Sequence, residues 1–168
     1  MLNAYDHPDA DRLTRSVETA LPAIAALIER APEQGMLLVY VNDSYGSWTS
    51  DREDMIDRAL DGRRRDLVEP IVPATEAMLV VKARHSIFYQ TPLEYLLGQE
   101  EIDRVVLNGQ VTEQCILYSA LDAYIRHFDV VVPRDAVAHI HEDLAAAALK
   151  MMERNMGADV QPSARSRL

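Results

Sequence analysis

Between Asp11 and Arg30 the apolar residues Leu13, Val17, Leu21, Ile24, Leu27 and Ile28 recur at helical spacing. That period predicts an amphipathic helix, bent locally where Pro22 removes a backbone donor. After Pro32 and Gly35 the pattern changes to Met36-Leu37-Leu38-Val39-Tyr40-Val41, a continuous apolar run of strand length. Ala77 to Val81 (ending at Lys82), Arg104 to Leu107 and Phe128 to Val132 repeat this pattern, and Ala158-Asp159-Val160 offers a short final strand.

Helical patterns separate the runs. A short helix is predicted near Arg52 to Leu60, and Thr91-Pro92-Leu93 reads as a helix start, with threonine as cap and proline at the first helical position. A third helix carries Ile116, Leu117, Ala120, Leu121 and Tyr124 on one face, and a long last one spans Ala136 to Met156, interrupted near His139. Continuous apolar strands alternating with helices predict a three-layer α/β/α domain whose mostly parallel, Rossmann-like sheet is covered on both faces. No repeat or interdomain linker is visible. Residues 1–161 are expected to form one domain and residues 162–168 a flexible tail.

Composition narrows the function classes. A chain of 168 residues fits one domain, of a size that buries about two-thirds of its unfolded surface. The 27 acidic against 17 basic residues give a formal charge of −10, which repels phosphate backbones and argues against nucleic-acid binding. The basic cluster Arg63-Arg64-Arg65 lies among Asp57, Asp61 and Asp66 and is expected to be a solvated loop, with contact to an anionic ligand or partner subunit as the alternative. A single cysteine forms no internal disulfide, and no leading apolar segment resembles a signal peptide, so a cytoplasmic location is expected. The apolar runs are far shorter than the roughly 20 residues a membrane span needs.

In open α/β sheets ligands bind outside the carboxyl ends of the strands. Those ends carry Asn42-Asp43, Lys82, the segment Gly109 to Cys115, and Pro133-Arg134-Asp135. Cys115, the sole cysteine, would stand at a helix start, where unpaired N–H groups and the helix dipole favour a thiolate. The alternative is a buried small hydrophobe. Lys82 could snorkel to water, yet beside a thiolate its ammonium would stabilise the charge and move a proton. Thr112 is a natural N-cap. Tyr45, Trp48, Phe88 and Tyr89 could wall a substrate pocket, with Trp48 foremost, or serve ordinary packing or a subunit interface. Asn42 and Phe88 join Trp48 as expected substrate contacts.

The segments Lys82-Ala83-Arg84-His85-Ser86-Ile87-Phe88, Thr91-Pro92-Leu93, Gly109-Gln110-Val111-Thr112-Glu113-Gln114-Cys115 and Ser119-Ala120-Leu121-Asp122-Ala123 together resemble the isochorismatase-like cysteine hydrolases across nearly the whole chain. The resemblance implies a triad of lysine, cysteine and aspartate, the first two falling on Lys82 and Cys115. It also implies a non-proline cis peptide joining Gln110 to Val111, with the backbone N–H groups of Val111 and Cys115 as an oxyanion hole. The activity it implies is hydrolysis of a small amide through a thioester, without a cofactor, by a homodimer or homotetramer acting on a small-molecule substrate. The strand end after Val41 lacks a histidine, which disfavours the nicotinamidase metal site. His139 and His141 lack a third partner in view, so no metal is assigned.

The family's aspartate ends a first strand in the middle of the sheet. Aligned on Met1 and Asn3, it would fall immediately before residue one. The expectation is therefore that the natural protein starts upstream, with about six to eight apolar residues ending in Asp. Asp6 is the local substitute for a base, whereas Asp9 and Asp11 read as helix-start residues. A catalytically silent oligomeric scaffold or binding module of the same fold is the alternative function.

Overall fold

The computed structural model describes residues 1–47 and 49–166; Trp48 lies outside them. The first amphipathic pattern becomes α1 (Ala10–Glu33), which runs through Pro22 and Pro32 without ending and buries Leu13, Val17, Ile24 and Leu27. β1 (Val39–Asp43) begins three residues later than the apolar run that predicted it. α2 (Arg52–Leu60) starts where a reciprocal cap forms: Asp51 accepts from the Asp54 N–H at 2.9 Å, and Asp54 accepts from the Asp51 N–H at 3.2 Å. A short α3 (Arg65–Val68) and a single tight turn lead to β2 (Met78–Lys82). There follow α4 (Leu93–Gln99), β3 (Arg104–Val106), β4 (Gly109–Gln110), α5 (Leu117–Ile125) and β5 (Asp129–Val131).

The last helix pattern divides where the sequence suggested an interruption. Val137–Ala138 is a strand, β6, and the helix α6 spans Glu142–Met156. Gly157 ends α6 at φ 67°, a left-handed geometry that glycine adopts without steric cost. Ala158 to Val160 supplies a single bridge, Val131 to Asp159, rather than a strand. The tail begins under tether: Asp135 accepts from the N–H and hydroxyl of Ser163 at 2.7 and 2.9 Å.

Every strand pairing is parallel, as uniform apolar runs require, but the ladder is divided into β1 with β2, β3 with β5, and β4 with β6. Two apolar layers flank these pairs. One joins α1 to Leu2, Tyr5, Leu67, Val68 and Ala138. The other joins α4, α5 and α6 through Leu93, Leu97, Ala120, Ala123, Ala148 and Met152. On α5 the buried face is Ser119, Ala120 and Ala123; Leu121 and Tyr124, predicted to face inward, are exposed. The helix is one turn displaced from its predicted orientation because Thr112–Ile116 first winds as a wider π-helical turn.

The amino-terminal residues are held firmly. The Arg63 N–H donates to the Ala4 carbonyl at 2.9 Å, and a Cβ on Gly62 would lie 2.4 Å from that same oxygen. The arginine cluster is committed to ion pairs: Arg64 binds Glu18 and Asp66 at 2.8 and 2.6 Å, and Arg63 reaches Asp11. Among the described residues, no helix is long and apolar enough to cross a membrane.

Candidate active site

The carboxyl ends of β1 and β2 bring Asp43 and Lys82 side by side, since these two residues are register partners in the parallel pair. Lys82 is 5% exposed. Its Nζ donates to Asp43 Oδ2 at 2.9 Å and lies 3.6 Å from Cys115 Sγ. A buried ammonium without a counter-charge would cost several kcal/mol, so the carboxylate is what permits the lysine to be charged here. His85 Nδ1 stands on the other side of the sulfur at 4.0 Å. The thiol thus has a cation and an imidazole within reach, in a half-buried setting.

Cys115 reaches this position through the segment from β4 to α5. The Gln110–Val111 peptide is cis. Thr112, expected to cap the helix, instead donates its hydroxyl to the Ala138 carbonyl at 2.9 Å, and the turn has no side-chain cap. Glu113 takes a comparable tying role: its Oε1 accepts from the N–H groups of Ile140 and His141 at 3.0 and 2.8 Å, while Oε2 is buried without a partner among the described residues. Ser119 Oγ donates to the Cys115 carbonyl and accepts from the Ile87 N–H at 3.1 Å, fixing the Lys82–Phe88 loop against the cysteine turn.

The sequence-predicted residues are distributed unevenly. Lys82, Cys115 and the Gln110–Val111 peptide converge. Asn42 is 4% exposed and its amide is engaged: Oδ1 accepts from the Met1 and Leu2 nitrogens at 3.0 Å each, and Nδ2 donates to the Leu2 carbonyl at 3.1 Å. It fastens the amino-terminal strap rather than presenting its amide to a ligand. Phe88 is a correction of the same kind. It is buried, stacked on Phe128 at 5.8 Å with the Arg126 guanidinium 5.0 Å from its ring centre, so it belongs to the core and not to a pocket wall. Tyr45 and Tyr89 remain exposed. Trp48 lies outside the described residues.

None of Asp6, Asp9 or Asp11 meets the site. Asp6 is exposed, Asp9 precedes α1, and Asp11 pairs with Arg63. The carboxylate at Lys82 is Asp43, which sequence reasoning passed over; the strand register that pairs it with Lys82 was the missing signal. His139 is bound to Ser16 at 3.0 Å, and among the described residues no three His, Cys, Asp or Glu side chains gather as a metal site.

Two ionisable groups beside the site are shifted by burial. Tyr5 is 1% exposed and its phenol is pushed up to about 12, although its bond to Gln110 Oε1 at 3.2 Å opposes the shift. The Met1 amino group is pushed down to about 5 by burial, against the pull of Cys115 and with a contribution from Lys82.

Comparison with known proteins agrees with this geometry. The sequence profile of the isochorismatase domain matches residues 8–165. The chain belongs to the isochorismatase family. It is 29% identical over 160 residues to the uncharacterized isochorismatase family protein YaaI of Bacillus subtilis, covering 95% of this chain and 88% of that one. It is 29% identical over 164 residues to maleamate amidohydrolase of Pseudomonas putida, covering 93% and 77%. Among solved structures, N-carbamoylsarcosine amidase from Thermoplasma acidophilum superposes with a TM-score of 0.69 at 25% identity, covering 92% and 88%.

Proposed function

We propose that this isochorismatase-family chain is a cysteine hydrolase that cleaves the C–N bond of a small amide through a thioester on Cys115. The observation that carries the reading is the line Asp43, Lys82, Cys115, with contacts of 2.9 and 3.6 Å. A similar chemistry in two relatives, a maleamate amidohydrolase and an N-carbamoylsarcosine amidase, supports the bond type.

Asp43 holds Lys82 as an ammonium, and the ammonium stabilises the Cys115 thiolate. The thiolate attacks the amide carbon and forms the C–S bond, moving the carbonyl π electrons onto oxygen. Backbone N–H groups of Val111 and Cys115 receive that oxyanion. As the tetrahedral centre collapses, the C–N bond breaks and the leaving nitrogen takes a proton from Lys82 Nζ. The resulting amine accepts a proton from the water that attacks the thioester, and rupture of the C–S bond releases the acid and restores the thiolate and ammonium.

A panel of small primary amides, including carbamoyl compounds and half-amides of dicarboxylic acids, tests the proposal by ammonia release. Acid quench and mass spectrometry should find an acyl adduct on Cys115, and Cys115→Ser should abolish both signals. Absence of turnover and of adduct across the panel would leave the silent scaffold as the better reading.

A further inference from the structure

The sheet has a gap in its middle. β1 is paired only with β2, and β3 only with β5. A cavity of about 450 Å³ runs between the two unpaired edges, lined on one side by the consecutive residues 36–42 and on the other by 101–108. Ile24, Leu27 and Ile28 of α1 close one face. The strand residues themselves carry the same message. Val39, Tyr40, Val41, Val105 and Val106 are apolar yet only half-buried, whereas a central parallel strand is normally covered on all sides.

Topology says what the gap accommodates. The chain passes Met1 at the carboxyl end of β1, where Asn42 binds the Met1 and Leu2 nitrogens. It then enters α1, a helix of 24 residues, and returns to the amino end of β1 at Val39. A helix that carries the chain from the carboxyl end of a sheet back to its amino end is the crossover of a β-α-β unit, and here its leading strand is absent. A backbone amide at Met1 would keep the bond to Asn42 Oδ1 and avoid placing an amino terminus in a buried site already occupied by Lys82.

We propose that the slot between β1 and β3 receives an apolar β-strand formed by the residues that immediately precede Met1 in the natural polypeptide, parallel to both neighbours. A length of about five residues matches β1, and the apolar lining on both faces calls for a continuous Val, Ile or Leu run rather than an alternating one. The strand would supply ladder partners to both edges and make β2-β1-slot-β3-β5 one sheet.

The test compares the chain beginning at Met1 with one extended by the residues encoded in frame directly upstream, using amide hydrogen exchange without substrate. In the extended chain, amides of Val39–Val41 and Arg104–Val106 should exchange at least about tenfold more slowly. A proline placed at the centre of the added segment should erase that slowing, and this pair of extended chains carries the test even if the shorter chain does not fold. Equal exchange in all three chains, or upstream codons specifying a stop or a charged, polar segment, would overturn the proposal. Equal protection by the same peptide added unattached would overturn the assignment to this chain and point to a strand from elsewhere. The readout involves no turnover, so an inactive enzyme would not be mistaken for an empty slot.

Discussion

Replacing Lys82 by methionine keeps the length and apolar stem of the side chain while deleting its charge. At 3.6 Å from Cys115 Sγ, with an effective dielectric of about 20, the ammonium contributes at most roughly 4 to 5 kcal/mol to a thiolate. Cys115 is half-buried, so water replaces part of that field, and a loss of roughly 2 kcal/mol is the working value. This corresponds to an about thirtyfold smaller thiolate population near neutral pH. A more basic thiolate is intrinsically more nucleophilic, which returns part of the loss and leaves alkylation about five- to tenfold slower. The assay is the second-order rate of iodoacetamide modification at pH 7, read by mass spectrometry on folded protein. Lys82→Met within twofold of the parent rate would refute the claim that Lys82 activates the sulfur. A parallel loss of folding stability is expected, because Asp43 is left without its cation.

Glu113→Ala removes the acceptor of two backbone N–H groups and should lower stability by roughly 2 to 3 kcal/mol in chemical denaturation; an unchanged midpoint would show that the 139–141 loop does not depend on it. Gly62→Ala places a Cβ 2.4 Å from the Ala4 carbonyl oxygen and should destabilise the fold by roughly 1 to 3 kcal/mol through displacement of the strap; a melting temperature equal to the parent's would contradict the close approach. Burial raises the Tyr5 phenol from 10.0 to about 12. Its contribution is intact below pH 10 and falls as pH rises through 12, by up to roughly 3 kcal/mol; Tyr5→Phe should flatten that part of the stability profile, and a slope identical to the parent's would refute the assignment.

Much of the fold was legible in the chain because local rules dominate it. A period of three and four residues gave α1, uniform apolar runs gave the parallel strands, and the short helix from Arg52 to Leu60 appeared with its predicted bounds. Lys82 and Cys115 were legible because strand ends and helix starts are where an α/β sheet displays its chemistry. The failures share a cause. Phe88 and Asn42 have side chains suited to a ligand, but whether such a group faces a cleft, a core or another segment depends on neighbours distant in sequence. Leu121 and Tyr124 were assigned to the wrong face because a π-helical turn shifts the phase of everything after it.

The sequence by itself determined the element types, their alternation, and the two residues whose chemistry defines the candidate site, since these follow from periodicity and from the chemistry of thiol and amine. Only the tertiary structure decided that Asp43 is the carboxylate at Lys82, that Glu113 and Ser119 hold the cysteine turn in place, and that β1 and β3 face each other across an open slot. Register, side-chain orientation and strand neighbours are set by contacts between residues dozens of positions apart, and linear patterning carries no record of which of those contacts form.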